Sequence, residues 1–125
     1  MILVDTSIWI DHLRIGDAGL SSLLEQGDVV VHPWVIGELA LGTLADRDEI
    51  LDLLGKQPQA LVATDDEILR LIASHSLDGS GIGYVDAQLL AATLLTPGTR
   101  LWTRDQRLAQ VSARLGIHAD VHRKE

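Results

Sequence analysis

Four carboxylates in this 125-residue chain stand where an ordinary surface charge is out of place. Asp5 ends the apolar run ILV, Glu38 sits inside WVIGELALG, Asp86 lies in YVDAQLLAATLL, and Asp105 follows LWTR. Glu38 is flanked by Ile36, Leu39 and Leu41, where a lone charge is costly unless it is paired or bound to a metal. Asp86 and Asp105 each also suit a helix N-terminus, and Thr103 with Gln106 offers a T-x-x-Q cap. Taken singly, each of the four reads as structural. Taken together, they are oxygen donors for a hard divalent cation such as Mg²⁺ or Mn²⁺, which is held by a few carboxylates, waters and substrate phosphates. Such an ion activates a water and offsets charge on phosphoryl oxygens, so the chemistry that wants this cluster is hydrolysis of a phosphodiester.

The other acidic groups have plainer explanations. Thr64, Asp65, Asp66 and Glu67 match a T-x-x-E capping box whose acids complement the positive end of a helix dipole. Asp46, Asp48, Glu49 and Asp52 alternate with Ile50, Leu51, Leu53 and Leu54 as the solvated face of an amphipathic helix.

The four candidates need elements that bring them to one edge. Short apolar runs end at Asp5 (ILVD), His32 (DVVVH), near Thr64 (ALVAT) and at Thr103 (RLWT), with a short last run over residues 116–121. Stretches of helical period fill the intervals at 7–14, 19–26, 34–44, 46–54, 65–77, 84–95 and 105–115. Strands that alternate with helices predict βαβ units with right-handed crossovers. The fold class is therefore α/β, a three-layer sandwich around a central parallel sheet. A continuous apolar strand is buried on both faces, and its C-terminal end is where such sheets build sites. Asp5 falls there.

Length and composition bound the rest. Residues 1–125 read as one domain, long enough to bury roughly two-thirds of its unfolded surface. There are no cysteines, so disulfides and thiolate metal sites are excluded and a reducing compartment is natural. No signal-peptide pattern and no apolar run near membrane-spanning length occurs, which predicts a cytoplasmic protein with no membrane association. The net charge of −8 argues against a nucleic-acid partner until its distribution is read. Residues 1–95 hold 4 Lys/Arg against 15 Asp/Glu, whereas residues 96–125 hold 6 against 3. Arg100, Arg104, Arg107, Arg114, Arg123 and Lys124 thus form a basic stretch, which a solvated helix face and a chain end explain as well as a phosphate-binding surface does.

The set DTSIWIDHL, GELALG, YVDAQLLAA and LWTRDQRL, in that order over nearly the whole chain, resembles the PIN-domain ribonucleases. Within them it looks most like the VapC toxins of bacterial and archaeal toxin–antitoxin pairs. The resemblance implies a PIN fold, Mg²⁺- or Mn²⁺-dependent endonucleolytic cleavage of RNA, a homodimer, and inhibition by a cognate antitoxin that lays a peptide into a groove near the site. Carried over by position, Asp5, Glu38, Asp86 and Asp105 form the acidic cluster, with Asp5 and Asp86 as direct metal ligands. Glu38 helps to bind the metal or orient its water, and Asp105 acts through water. Thr6 or Ser7, and Thr103, match the hydroxyls that steady such a cluster. Arg104 either meets a substrate phosphate or serves the surface.

Weaker signals point elsewhere. The loop GSGIG, residues 79–83, precedes a helix but lacks a full phosphate-binding fingerprint, and reads as a connection. His118 and His122 have i, i+4 spacing on a strand or tail, where it does not bring them together, so no zinc site is expected. Trp9, Leu13 and Trp34 are expected in the core or an interface. A receiver-type signalling module is also α/β and acidic. It needs a strand-end lysine, however, and Lys56 and Lys124 follow no convincing strand. A PIN scaffold without activity is the remaining rival, against which the intact quartet argues.

Overall fold

In the computed structural model, which describes residues 1–121, the strands β1 (Ile2–Val4), β2 (Val29–Val30) and β3 (Arg100–Trp102) form a parallel sheet in the order β2-β1-β3. Leu3 faces Val30 on one side and Leu101 on the other. Leu3 and Val4 point to opposite faces, and both are fully buried. Helices therefore cover the sheet on both sides, the three-layer arrangement expected of a parallel sheet.

The helices are α1 (Thr6–Ile15), α2 (Ala18–Glu25), α3 (Pro33–Leu41), α4 (Arg47–Lys56), α5 (Asp65–Ser74), α6 (Tyr84–Leu95) and α7 (Gln106–Arg114). Each has a local cause. Pro33 occupies the first turn of α3, where its missing N–H costs nothing, and His32 caps that helix by accepting from Trp34 N–H. The capping box at Thr64 and Glu67 opens α5 as its sequence predicts. In α6, Ala87 through Thr93 are all buried, which makes it a central helix beside the sheet.

Two predicted strands shrink to single pairings. The run ALVAT forms no strand; one parallel bridge joins Val31 to Gln59 just before it, and Leu61 and Val62 are exposed. Residues 116–121 contribute one bridge, His118 to Leu101, held by Leu101 N–H to Ile117 O and Ala119 N–H to Leu101 O. The T-x-x-Q cap is also replaced. Asp105 caps α7 instead, accepting from Leu108 N–H. Thr103 lies two residues before that cap and gives its hydroxyl to Asp5.

Trp9 belongs to the core, with Leu20, Val35, Leu39, Leu89, Leu101 and Leu108. Arg104 is committed to structure: its guanidinium pairs with Asp11 on α1 and with Asp17, the N-cap of α2. Lys56 pairs with Asp52 one turn earlier on α4, far from a receiver's strand-end lysine. His122, Arg123 and Lys124 lie outside the described residues. Among the described residues no helix is long and apolar enough to cross a membrane.

Candidate active site

The C-terminal ends of β1 and β3 meet at Asp5. Its N–H donates to Trp102 O at 2.9 Å, which locks the first residue after β1 to the end of β3. Its side chain is 8% exposed and accepts three hydrogen bonds. Thr6 N–H gives one to Oδ1 at 2.7 Å, while Ser7 Oγ and Thr103 Oγ1 give theirs to Oδ2 at 3.1 and 2.7 Å. A carboxylate on so short a stem, held by three donors, has almost no freedom left to lose when it binds something. Thr103 also accepts from Asp105 N–H at 3.0 Å, so one hydroxyl ties Asp5 to the backbone that presents Asp105.

Thr6 serves two acids. Its N–H holds Asp5, and its hydroxyl donates to Glu38 Oε1 at 2.7 Å, bringing α3 to the end of β1. Glu38 itself is exposed, and so is Leu41, at 91%. The expectation that Glu38 sits in an apolar environment is thus corrected: α3 turns Val35 and Leu39 inward and leaves Glu38 on the site's rim.

Asp86 and Asp105 carry two roles at once. Asp86 Oδ2 accepts from Gly83 N–H at 3.1 Å, and Asp105 Oδ1 accepts from Leu108 N–H at 3.0 Å, so each caps its helix with one oxygen. The other oxygen of each makes no hydrogen bond among the described residues and is left for the site. The structural and functional readings of these acids are compatible, because a carboxylate has an oxygen for each.

The charges of the other three acids reach Asp86. Burial pushes the half-buried Asp86 carboxyl above the usual carboxylate range; the Gly83 N–H opposes this, and the charges of Asp5, Asp105 and Glu38 add to it. Four acids from β1, α3, α6 and the start of α7 therefore share one field. None of them forms an ion pair among the described residues.

Their donor chemistry fits a hard divalent cation: all oxygen, mostly anionic, and unpaired with any cation among the described residues. Among the described residues no three His, Asp or Glu side chains close around one point as a ready-made cage. Mg²⁺ does not require one, since it keeps several waters and binds through one or two carboxylates plus substrate phosphates. Asp5 is held by three hydrogen bonds, and Asp86 keeps one oxygen without a hydrogen bond among the described residues.

The PIN domain pattern matches residues 2–114 of this chain. The chain belongs to the PIN-domain family. It is 52% identical over 117 residues to Ribonuclease VapC32 of Mycobacterium tuberculosis, strain CDC 1551 / Oshkosh, covering 94% of both chains. The same protein from strain ATCC 25618 / H37Rv matches equally. A solved structure of FitAB bound to an IR36 DNA fragment superposes with a TM-score of 0.61 over 90% of this chain and 91% of that one, at 14% identity, a likeness of fold alone. As a PIN domain, the chain carries its quartet at the strand ends and helix starts where its sequence places it. Three features escaped sequence reading: the double duty of Thr6, the loss of Arg104 to Asp11 and Asp17, and the contact of Trp34 with Tyr84 at ring centroids 5.9 Å apart. The first two depend on rotamers and chain path that no spacing encodes.

Proposed function

We propose that this chain is an endoribonuclease of the VapC kind, a single PIN domain over residues 1–125 that acts in the cytoplasm as the toxin of a toxin–antitoxin pair and uses Mg²⁺ or Mn²⁺. The observation that carries the reading is the acidic group itself: four carboxylates whose charges meet at Asp86, none in an ion pair among the described residues, in a chain that is 52% identical to a ribonuclease.

A divalent cation, when bound, supplies the positive charge and the activated water that phosphodiester hydrolysis needs. Asp5 and Asp86 are the residues to hold it. Thr6, Ser7 and Thr103 fix Asp5 through three hydrogen bonds, so that its oxygens need not reorganise during the reaction. Glu38, steadied by the Thr6 hydroxyl, is placed to orient a water or accept its proton. Asp105, on the rim and free at one oxygen, acts through water. The test is incubation of the purified protein with RNA in Mg²⁺ or Mn²⁺ and in EDTA. Cleavage only with metal, lost in Asp86→Asn, is expected; equal cleavage with and without metal refutes the mechanism.

An antitoxin and a second copy of the chain are the partners this reading expects. A groove of about 580 Å³ reaches Glu38 and is lined by Ile10, Leu13, Leu39 and Ile50 with Arg14 and Asp46 beside them, a mixed surface that suits an inhibitory peptide. Light scattering at micromolar concentration tests the homodimer, and co-expression with the adjacent small gene tests the antitoxin.

A further inference from the structure

The chain has three Trp, one Tyr and no Phe. Trp9 and Trp102 are spent on the core, at 3% and 6% exposure. The other two rings stand together at the surface. Trp34 is half-buried, Tyr84 is 42% exposed, and their planes are tilted by 39° at a centroid separation of 5.9 Å.

Their position follows from the elements that make the site. Trp34 precedes Glu38 by four residues on α3, which puts both on one face of the helix. Tyr84 opens α6 two residues before Asp86. Both rings are held from behind. The buried His32 ring meets Trp34 edge-on at 6.3 Å, and the Tyr84 hydroxyl donates to Asp65 Oδ1 at 2.5 Å. The result is an aromatic pair carried by the same two helices that carry Glu38 and Asp86.

A cation lies over the loop that leads into Tyr84. Gly81, at φ +85°, lets the Arg107 side chain cross the loop backbone so closely that a Cβ there would stand 2.8 Å from Arg107 Cδ. Unlike Arg104, Arg107 forms no ion pair or hydrogen bond among the described residues. Its charge is available to an anion from outside.

We propose that the Trp34–Tyr84 surface stacks an unpaired base of single-stranded RNA beside the bond that is cut, while Arg107 takes a backbone phosphate. The inference rests on the ribonuclease reading of the acidic site. It explains how a chain with a net charge of −8 holds a polyanion near four carboxylates: stacking draws affinity from a neutral π-face, and every base has one. A second copy of the chain is the less suitable occupant. A stable dimer needs roughly 800 Å² per partner, of which a ring pair supplies little, and it would cover the charges of Asp65 and Asp86.

The probe is a labelled single-stranded RNA of mixed sequence, bound to wild type in EDTA so that it is not cut. It should quench part of the tryptophan fluorescence, Trp34 being the tryptophan outside the core. Trp34→Ala should raise Kd about ten-fold, and Trp34→Phe far less. An abasic nucleotide at the stacked position should cost wild type a similar factor and cost Trp34→Ala nothing more. Arg107→Gln should lower the slope of log Kd against log salt by about one. With metal present, Trp34→Ala should raise KM more than it lowers kcat. Absence of quenching together with an unchanged Kd in Trp34→Ala overturns the proposal, as does a Trp34→Ala variant that turns a dimer into a monomer without weakening RNA binding. RNA that binds through Trp34 but is not cut with metal upholds the stacking surface and refutes the nuclease reading. Cleavage that Trp34→Ala performs with unaltered KM does the reverse.

Discussion

Two acidic patches at helix starts use the same residue types to opposite ends. At the start of α5, the carboxylate of Glu67 is held below its usual range, chiefly by the Thr64 N–H and next by the Thr64 hydroxyl. At the start of α6, burial and three neighbouring carboxylates hold Asp86 above its usual range. One patch surrounds its charge with donors; the other gathers charge faster than donors can satisfy it. In a third grouping, Asp11 and Asp17 share the guanidinium of Arg104. Counting acids does not find a site. What separates the Asp86 patch is that the charges of Asp5, Glu38 and Asp105 reach it while none of the four forms an ion pair among the described residues.

The difference breaks most visibly in activity. Asp86→Asn keeps the shape and the bond from Gly83 N–H while removing one charge, and should lower RNA cleavage on the order of 10²-fold or more, as loss of a preorganised electrostatic group does. Thr64→Ala, assayed beside it, should cleave at the wild-type rate. Should the two cleave alike, the patches do not differ in kind.

The middle grouping gives the next largest effect. Arg104→Ala leaves the side chain of Asp17, 0% exposed, without its guanidinium. Unfolding in urea should show a loss of roughly 2 kcal/mol, the cost of removing a charged hydrogen bond from a buried carboxylate. A variant as stable as wild type would make Arg104 available to substrate after all. Thr64→Ala should cost less, about 1 kcal/mol for a lost cap.

The smallest effect is in pH dependence, and its sign differs between the patches. Because Asp86 holds its proton to higher pH in the fold than in the unfolded chain, its destabilising effect is absent below the unfolded value of about 3.9 and complete above its raised folded value. In EDTA, Asp86→Asn should therefore melt at or above wild type near neutrality, with the difference vanishing toward acid. Glu67 acts the other way, adding stability that is present above its unfolded pKa and lost as pH falls through its lowered folded value. Thermal melts of Asp86→Asn and Glu67→Gln across that range should diverge in opposite directions.

Much of this architecture was legible in residue order. ILV, VVV and RLW announce buried parallel strands through continuous apolar runs, and all seven helices arise within a few residues of their predicted bounds. Two runs pair less than their apolar composition suggests, because composition cannot tell a run that pairs from one such as Leu61 and Val62 that stays exposed. The quartet could be named from its positions at strand ends and helix starts. The environment of Glu38 could not, since its flanking apolar residues turn away from it, with Val35 and Leu39 facing in and Leu41 facing water. Arg104 and Arg107, three residues apart, look equivalent in sequence. Only the chain path gives one to Asp11 and Asp17 and lays the other across Gly81.

The central claim is that Asp5, Glu38, Asp86 and Asp105 form a cluster whose repulsion a divalent cation relieves. A titration of Mg²⁺ or Mn²⁺ into metal-free protein at neutral pH, read by melting temperature, tests it most directly, because ligand that binds only the folded state stabilises by mass action. Wild type should rise in Tm with metal, Asp86→Asn should rise less, and Asp66→Asn, at the α5 start, should follow wild type. An equal rise in wild type and Asp86→Asn, or none in wild type, would contradict the account.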